Sequence, residues 1–208
     1  MKTKYLSAIE MSKQLNIKDR EKFLIGGTSV RPNDVIQKMI SGLGAKNVIE
    51  IGTGFGTATI AIASCTSVEK VISFDVKPSV YQEYLARHFQ LQNKIQFITA
   101  NNSQEIYEIM AKYEFDFAYI DGGHIPPFPA DDFKACKTIG RILMDDAWSK
   151  HVGKVIQDNK GIMIGLRFGY WAKDGEYTIA EKIGSEIKTD DIVGPDGKLQ
   201  CDYSYLYI

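Results

Sequence analysis

The sequence predicts an α/β fold built on a doubly wound, mostly parallel sheet, on the strength of three observations. Short apolar runs alternate with amphipathic segments along most of the chain, which is the pattern of buried parallel strands covered by helices. One such run, Val48-Ile49-Glu50-Ile51, opens directly into Gly52-Thr53-Gly54-Phe55-Gly56, a strand running into a turn suited to cradling a ligand. A second run, Lys70-Val71-Ile72-Ser73-Phe74, ends in Asp75, at about the interval where a ribose-binding carboxylate follows the glycines of a nucleotide-binding βαβ unit. Together they point to an adenosine-bearing cofactor.

Taken in order, residues 1–45 read as a helical cap. Leu6, Ile9, Leu15 and Ile17 offer one apolar face, Gly26-Gly27-Thr28-Ser29 breaks the chain, and Val35, Ile36, Met39 and Ile40 supply a second helix. These helices are expected to form a lid, with Arg31 near its base. Residues 46–208 read as the sheet core, with strands at 47–51, 70–74, 95–99, 115–120 and 141–144. Helices are predicted at 56–64, 80–89, through Ile106 and Met110, and at 131–138. The late β-rich runs 162–168 and 202–208, with a surface turn in the 189–199 loop, suit an antiparallel pair closing the sheet edge. No repeat or linker divides the chain, so 1–208 is expected to be one domain.

Composition narrows the function classes. With 208 residues, 44% hydrophobic and 25% charged, the chain is long enough for one sizeable core. A formal charge of -1 and scattered Lys and Arg lack the signature of a nucleic-acid or membrane-surface binder, which makes a small molecule the expected partner. Cys65, Cys136 and Cys201 have no metal or redox spacing and read as reduced, buried residues. The N-terminus has no apolar signal region and no run approaches the length of a membrane span, so a cytoplasmic location is expected.

The acids carry the chemistry. Glu50, Asp75, Asp121 and Asp145 each end a predicted strand, and ligands of an open α/β sheet bind at that edge. Any one of them also suits a turn or a helix N-cap, but repetition at successive strand ends argues for a shared crevice.

Four motifs in order, Glu50-Ile51-Gly52-Thr53-Gly54-Phe55-Gly56, Asp75, Tyr119-Ile120-Asp121-Gly122-Gly123-His124 and Leu143-Met144-Asp145-Asp146, resemble those of class I S-adenosylmethionine-dependent methyltransferases. Within that superfamily the likeness is to metal-dependent small-molecule O-methyltransferases of the catechol, caffeoyl-CoA and bacterial sugar types, and it covers about residues 30–150. The resemblance implies a Rossmann-like, seven-stranded sheet with a reversed C-terminal hairpin. It also implies that the methionine part of the cofactor lies against Gly52, Thr53, Gly54 and Gly56 with Glu50 near its ammonium group. Asp75 would take the ribose hydroxyls, and Asn102 with Ser103 the adenine. Asp121 borders the cofactor as well, and Asp121, Asp145 and Asp146 match the ligands of a divalent cation, Mg2+ first, with Ca2+ or Mn2+ as alternatives. Such an ion lowers the pKa of an acceptor hydroxyl and fixes it in line with the sulfonium methyl. A helix N-cap pair without metal is the other reading of Asp145 and Asp146.

His124, in the same loop as Asp121, is the best candidate for a general base, with His151 and Lys154 weaker ones and His88 a surface residue. Pro126-Pro127-Phe128-Pro129 reads as a stiff loop, and Trp148, Phe168, Tyr170 and Trp171 as either a pocket wall or core. Relatives are often dimers, although no exposed apolar face marks an interface here. Three alternatives remain at this level: a metal-independent N- or C-methyltransferase, a nicotinamide oxidoreductase with its third glycine one residue early, and a noncatalytic cofactor-binding module.

Overall fold

The computed structural model describes residues 30–165 and 167–186. The expected helices and turn before residue 30, the 189–199 loop, the strand at 202–208 and Cys201 lie outside the described residues.

Five apolar segments pair in parallel: β1 (Asn47–Ile51), β2 (Lys70–Asp75), β3 (Ile95–Thr99), β4 (Phe117–Ile120) and β5 (Arg141–Met144). Two more, β6 (Ile162–Ile164) and β7 (Phe168–Ala172), form an antiparallel hairpin whose β7 pairs antiparallel with β5. The order is β3-β2-β1-β4-β5-β7-β6. The chain therefore leaves β1 in one direction toward β3 and returns to lay β4 on its other side, which opens a crevice above the carboxyl ends of β1 and β4.

Side-chain alternation along the strands builds two cores. Val48, Val71, Phe117, Tyr119, Leu143, Phe168 and Tyr170 meet helices α1 (Val30–Leu43), α2 (Thr57–Ala63) and α7 (Thr178–Glu186). Ile49, Ile51, Ile72, Phe74, Ala118, Ile120, Ile142 and Trp171 meet α4 (Ser103–Met110), α5 (Phe128–Cys136) and α6 (Lys150–Asp158). Helix α3 (Val80–His88) packs Leu85 and Ala86 against Ile60 of α2. Each large apolar side chain so removed from water contributes about 1.5–3 kcal/mol. Helix α1 runs into β1 and shares its core, so this part of the expected cap is a layer of the sheet domain itself. Cys65 and Cys136 are buried and unpaired.

Several expectations are corrected. The run 162–168 is not one strand: Gly165, at φ 60°, lies between β6 and β7, which pair antiparallel within 162–172, and the expected pairing with 202–208 falls outside the described residues. Phe168, Tyr170 and Trp171 are 2%, 0% and 8% exposed and fill the core rather than lining a pocket. The proline-rich segment is not only a loop. It starts α5, with Pro129 in the first turn, where a missing N–H costs nothing. Strand β4 starts at Phe117 because the Asp116 carboxylate is engaged in accepting the Lys46 and Asn47 amides. No helix among the described residues is long and apolar enough to cross a membrane.

Candidate active site

The glycine turn follows β1 with Gly52, Gly54 and Gly56 at φ 96°, 52° and 86°, a left-handed path that side chains resist. A Cβ on Gly52 would lie 2.0 Å from the Asp121 carbonyl oxygen, so the first glycine lets the β1 and β4 turns touch. Gly52 and Thr53 N–H both donate to the Phe74 carbonyl, and Thr53 Oγ1 lies 2.6 Å from Ser73 Oγ. Gly54 is pinned from two sides: its N–H donates to Asp75 Oδ2 at 2.8 Å and its carbonyl accepts Gln82 Nε2 at 3.0 Å. Asp75 Oδ1 also accepts the Lys77 N–H at 3.0 Å, which fixes the carboxylate at the mouth of the turn.

Glu50 stands behind this turn with no exposed surface. Its Oε2 accepts Thr59 Oγ1 of α2 and Ser73 Oγ of β2, while Oε1 is buried without a hydrogen-bond partner. Burial pushes the carboxyl up to about 8, against those two hydrogen bonds. Asn102 is the N-cap of α4, its side chain accepting the Glu105 N–H at 3.0 Å, and Ser103 Oγ donates to the buried Asp132 at 2.7 Å. Both therefore have local partners at the end of β3.

The other half of the crevice is built from the ends of β4 and β5. Asp121 N–H donates to the Ile51 carbonyl and Asp145 N–H to the Ile120 carbonyl, which sets the acids side by side. Asp146 follows at φ 53°, a conformation disfavoured for a residue with a side chain, and strain of this kind gathers at functional sites. Its Oδ1 accepts Trp148 Nε1 at 2.9 Å, and its Oδ2 lies 3.1 Å from His124 Nε2. His124 Nε2 is also 3.8 Å from Asp121 Oδ1, is itself sealed from solvent, and has no hydrogen-bond partner. Asp121, His124 and Asp146 thus each point a ligand atom into one space, within 4.8 Å of one another. Burial raises the Asp121 carboxyl and Asp145 raises it further, whereas Asp121, opposed by burial and aided by Asp146, raises the His124 imidazole.

Asp145, beside that group, has fixed partners of its own. It is 1% exposed and holds the Arg167 guanidinium at 2.5 and 3.0 Å, with Tyr119 Oη donating to it at 2.7 Å. Of the three acids expected from sequence, Asp121 and Asp146 share the convergent group with His124, while Asp145 faces Arg167. Sequence reading missed Arg167 altogether. Its one signal was a lone cation between apolar neighbours, Ile162 to Trp171, on a strand run otherwise without charge. Of the weaker base candidates, His151 is exposed on α6 and Lys154 pairs with Asp158 at 2.8 Å on the same helix. His88 is exposed at the end of α3, its ring against Phe89.

A family model described as a methyltransferase domain matches residues 49–147, from β1 to the end of the acidic pair. Solved structures share the fold. The O-methyltransferase of Bacillus cereus in complex with SAH is 16% identical, with a TM-score of 0.59 over 78% of this chain and 86% of that one. SAH-bound Podospora anserina methyltransferase PaMTH1 is 12% identical, with a TM-score of 0.62 over 79% and 86% of the two chains. The O-methyltransferase TomG of Streptomyces achromogenes, involved in tomaymycin synthesis and solved with SAM, is 13% identical, with a TM-score of 0.57 over 78% and 85%. No curated protein matches the sequence. Over residues 49–147 the chain is thus similar to a methyltransferase domain, and its strand order and motif order agree with that likeness.

Proposed function

We propose that the protein transfers the methyl group of S-adenosylmethionine to a hydroxyl of a small molecule, beside a divalent cation. The observation that carries this reading is the pairing, across the β1–β4 crevice, of a glycine turn backed by a buried carboxylate with a separate convergent group of ligand atoms.

The cofactor half fits the chemistry of its ligand. Glu50 Oε1 is a buried acceptor without a donor, and an ammonium group supplies one. Asp75 is held at the turn with lone pairs left for two ribose hydroxyls. Asn102 and Ser103, at the end of β3, would border the adenine. SAM and SAH occupy TomG and the Bacillus cereus enzyme, which supports the same cofactor here.

The acceptor half fits a cation. His124 Nε2 is buried between two carboxylates, 3.1 Å from Asp146 Oδ2 and 3.8 Å from Asp121 Oδ1, and the mutual repulsion of those carboxylates is relieved by a cation. Asp121, His124 and Asp146 would hold the ion, which when bound polarises an acceptor hydroxyl. In the transfer the acceptor oxygen forms its bond to the methyl carbon as the carbon–sulfur bond breaks, the electron pair going to sulfur. The hydroxyl proton leaves to a base. A second reading makes His124 that base, favoured by the carboxylates that raise its imidazole.

Incubation with methyl-labelled S-adenosylmethionine and a panel of phenols, sugars and polyketide alcohols tests the proposal. Label is expected on oxygen, and chelation is expected to abolish it. Label on nitrogen or carbon, or full turnover after chelation, contradicts the assignment.

A further inference from the structure

The acids at the acceptor end are not equivalent. Asp145 receives Arg167 Nε and Nη2, Tyr119 Oη and the Asp146 N–H, so its two oxygens are met by four donors from fixed partners. Arg167 is itself anchored, since its carbonyl accepts the Ala147 N–H at 2.6 Å and its side chain is only 22% exposed. Turning Asp145 toward an ion would strand a largely buried guanidinium, whose other nearby carboxylate, Asp146, is 4.0 Å away. The group whose ligand atoms converge has two carboxylates and one imidazole nitrogen. Charge agrees: Asp121, Asp145 and Asp146 against Arg167 leave two negative charges when His124 is neutral, which a divalent ion balances.

We propose that Arg167 withdraws Asp145 from coordination, that Asp121, His124 and Asp146 hold the cation, and that the imidazole turns the site's preference from magnesium and calcium to manganese and its transition-metal neighbours. Magnesium and calcium take oxygen donors, whereas imidazole suits first-row transition ions. Because manganese is the weakest binder of these and nearest to magnesium in its liking for carboxylates, a preference for Mn2+ over Mg2+ is the most stringent sign of the imidazole. His124 Nε2 is then committed to the ion, and the acceptor's proton leaves to another group or to water. Arg167 acts as a positioning residue, through Asp145. The inference rests on the cation reading of this site.

Metal-depleted protein is titrated by calorimetry with Mn2+, Mg2+ and Ca2+, the Mn2+ form is examined by pulsed electron paramagnetic resonance for 14N coupling, and the same sample is titrated with SAH. Mn2+ is expected to bind at least about tenfold tighter than Mg2+ or Ca2+. The 14N coupling and the preference are expected in the wild type and lost in His124→Asn. Asp145→Asn, nearly isosteric, is expected to keep Mn2+ affinity within about threefold. Mn2+ bound without 14N coupling overturns the proposal, as does a folded Asp145→Asn variant that no longer binds Mn2+. A protein that binds SAH but no metal also overturns it, leaving the methyltransferase reading intact. Failure to bind SAH counts against that reading instead.

Discussion

Glu50 shows how one buried atom couples fold to ligand. In the folded chain its carboxyl is pushed up to about 8 from the ordinary 4.5, so between those values the native state holds a proton that the unfolded chain releases. Stability contributed by this group is fully present below about pH 4.5 and is lost as pH rises toward 8. The thermal midpoint of the ligand-free protein is expected to fall over that window, and Glu50→Gln to flatten the fall, as calorimetry at stepped pH will show. An unchanged slope in the variant would place the proton elsewhere. An ammonium ligand favours the ionised carboxylate, so cofactor binding below pH 8 should release a proton, visible as a dependence of binding enthalpy on buffer ionisation. Glu50, Asp75 and Asp121 were legible in the sequence because each ends an apolar run and strand ends share one edge. Arg167 was not, because its partner Asp145 lies 22 residues away, just past the end of β5, and nothing local marks the pairing. His124 was legible beside Asp121, but its approach to Asp146 depends on the left-handed turn at Asp146, which nothing local marks.

At the scale of elements, the glycine turn is the rigid part. Gly52→Ala would drive a Cβ into the Asp121 carbonyl at a φ of 96°, and it is expected to destabilise by about 3 kcal/mol or more, read from urea unfolding. Gln82→Ala removes the donor on Gly54 while leaving the turn's other bonds, so it should weaken cofactor binding several-fold with a smaller change in unfolding. Equal losses in binding and stability would make Gln82 structural only. Strands β1, β2, β4 and β5 were readable because their interiors are buried on both faces and largely apolar, and the half-buried β3 because Ile95, Phe97 and Ile98 favour a strand. The break inside 162–168 was not legible, because β7 is buried on both faces and shows no alternation, and only Gly165 and Arg167 interrupt the apolar sequence between it and β6. Helices α6 and α7 were hidden by their short buried faces, as with Val152 and Ile156 of α6 amid charged and polar neighbours.

Over the whole molecule, strand order does what no single motif does. Placing β1 between β2 and β4 brings Glu50, Asp75 and Asp121 to one crevice, and β5 adds Asp145 and Asp146 beside them. The two halves differ in polarity: one holds a buried carboxylate oxygen without a hydrogen-bond partner, and the other a convergent group of two carboxylates and an imidazole. That division suits a sulfonium cofactor on one side and an activated hydroxyl on the other. The measurement that tests this most directly is calorimetric titration of the wild type and the Asp75→Ala variant with S-adenosylmethionine and SAH. Saturable binding of both by the wild type, lost in a variant that still unfolds cooperatively, is the expected result. Absence of binding by the wild type, or undiminished binding in the variant, would contradict the account.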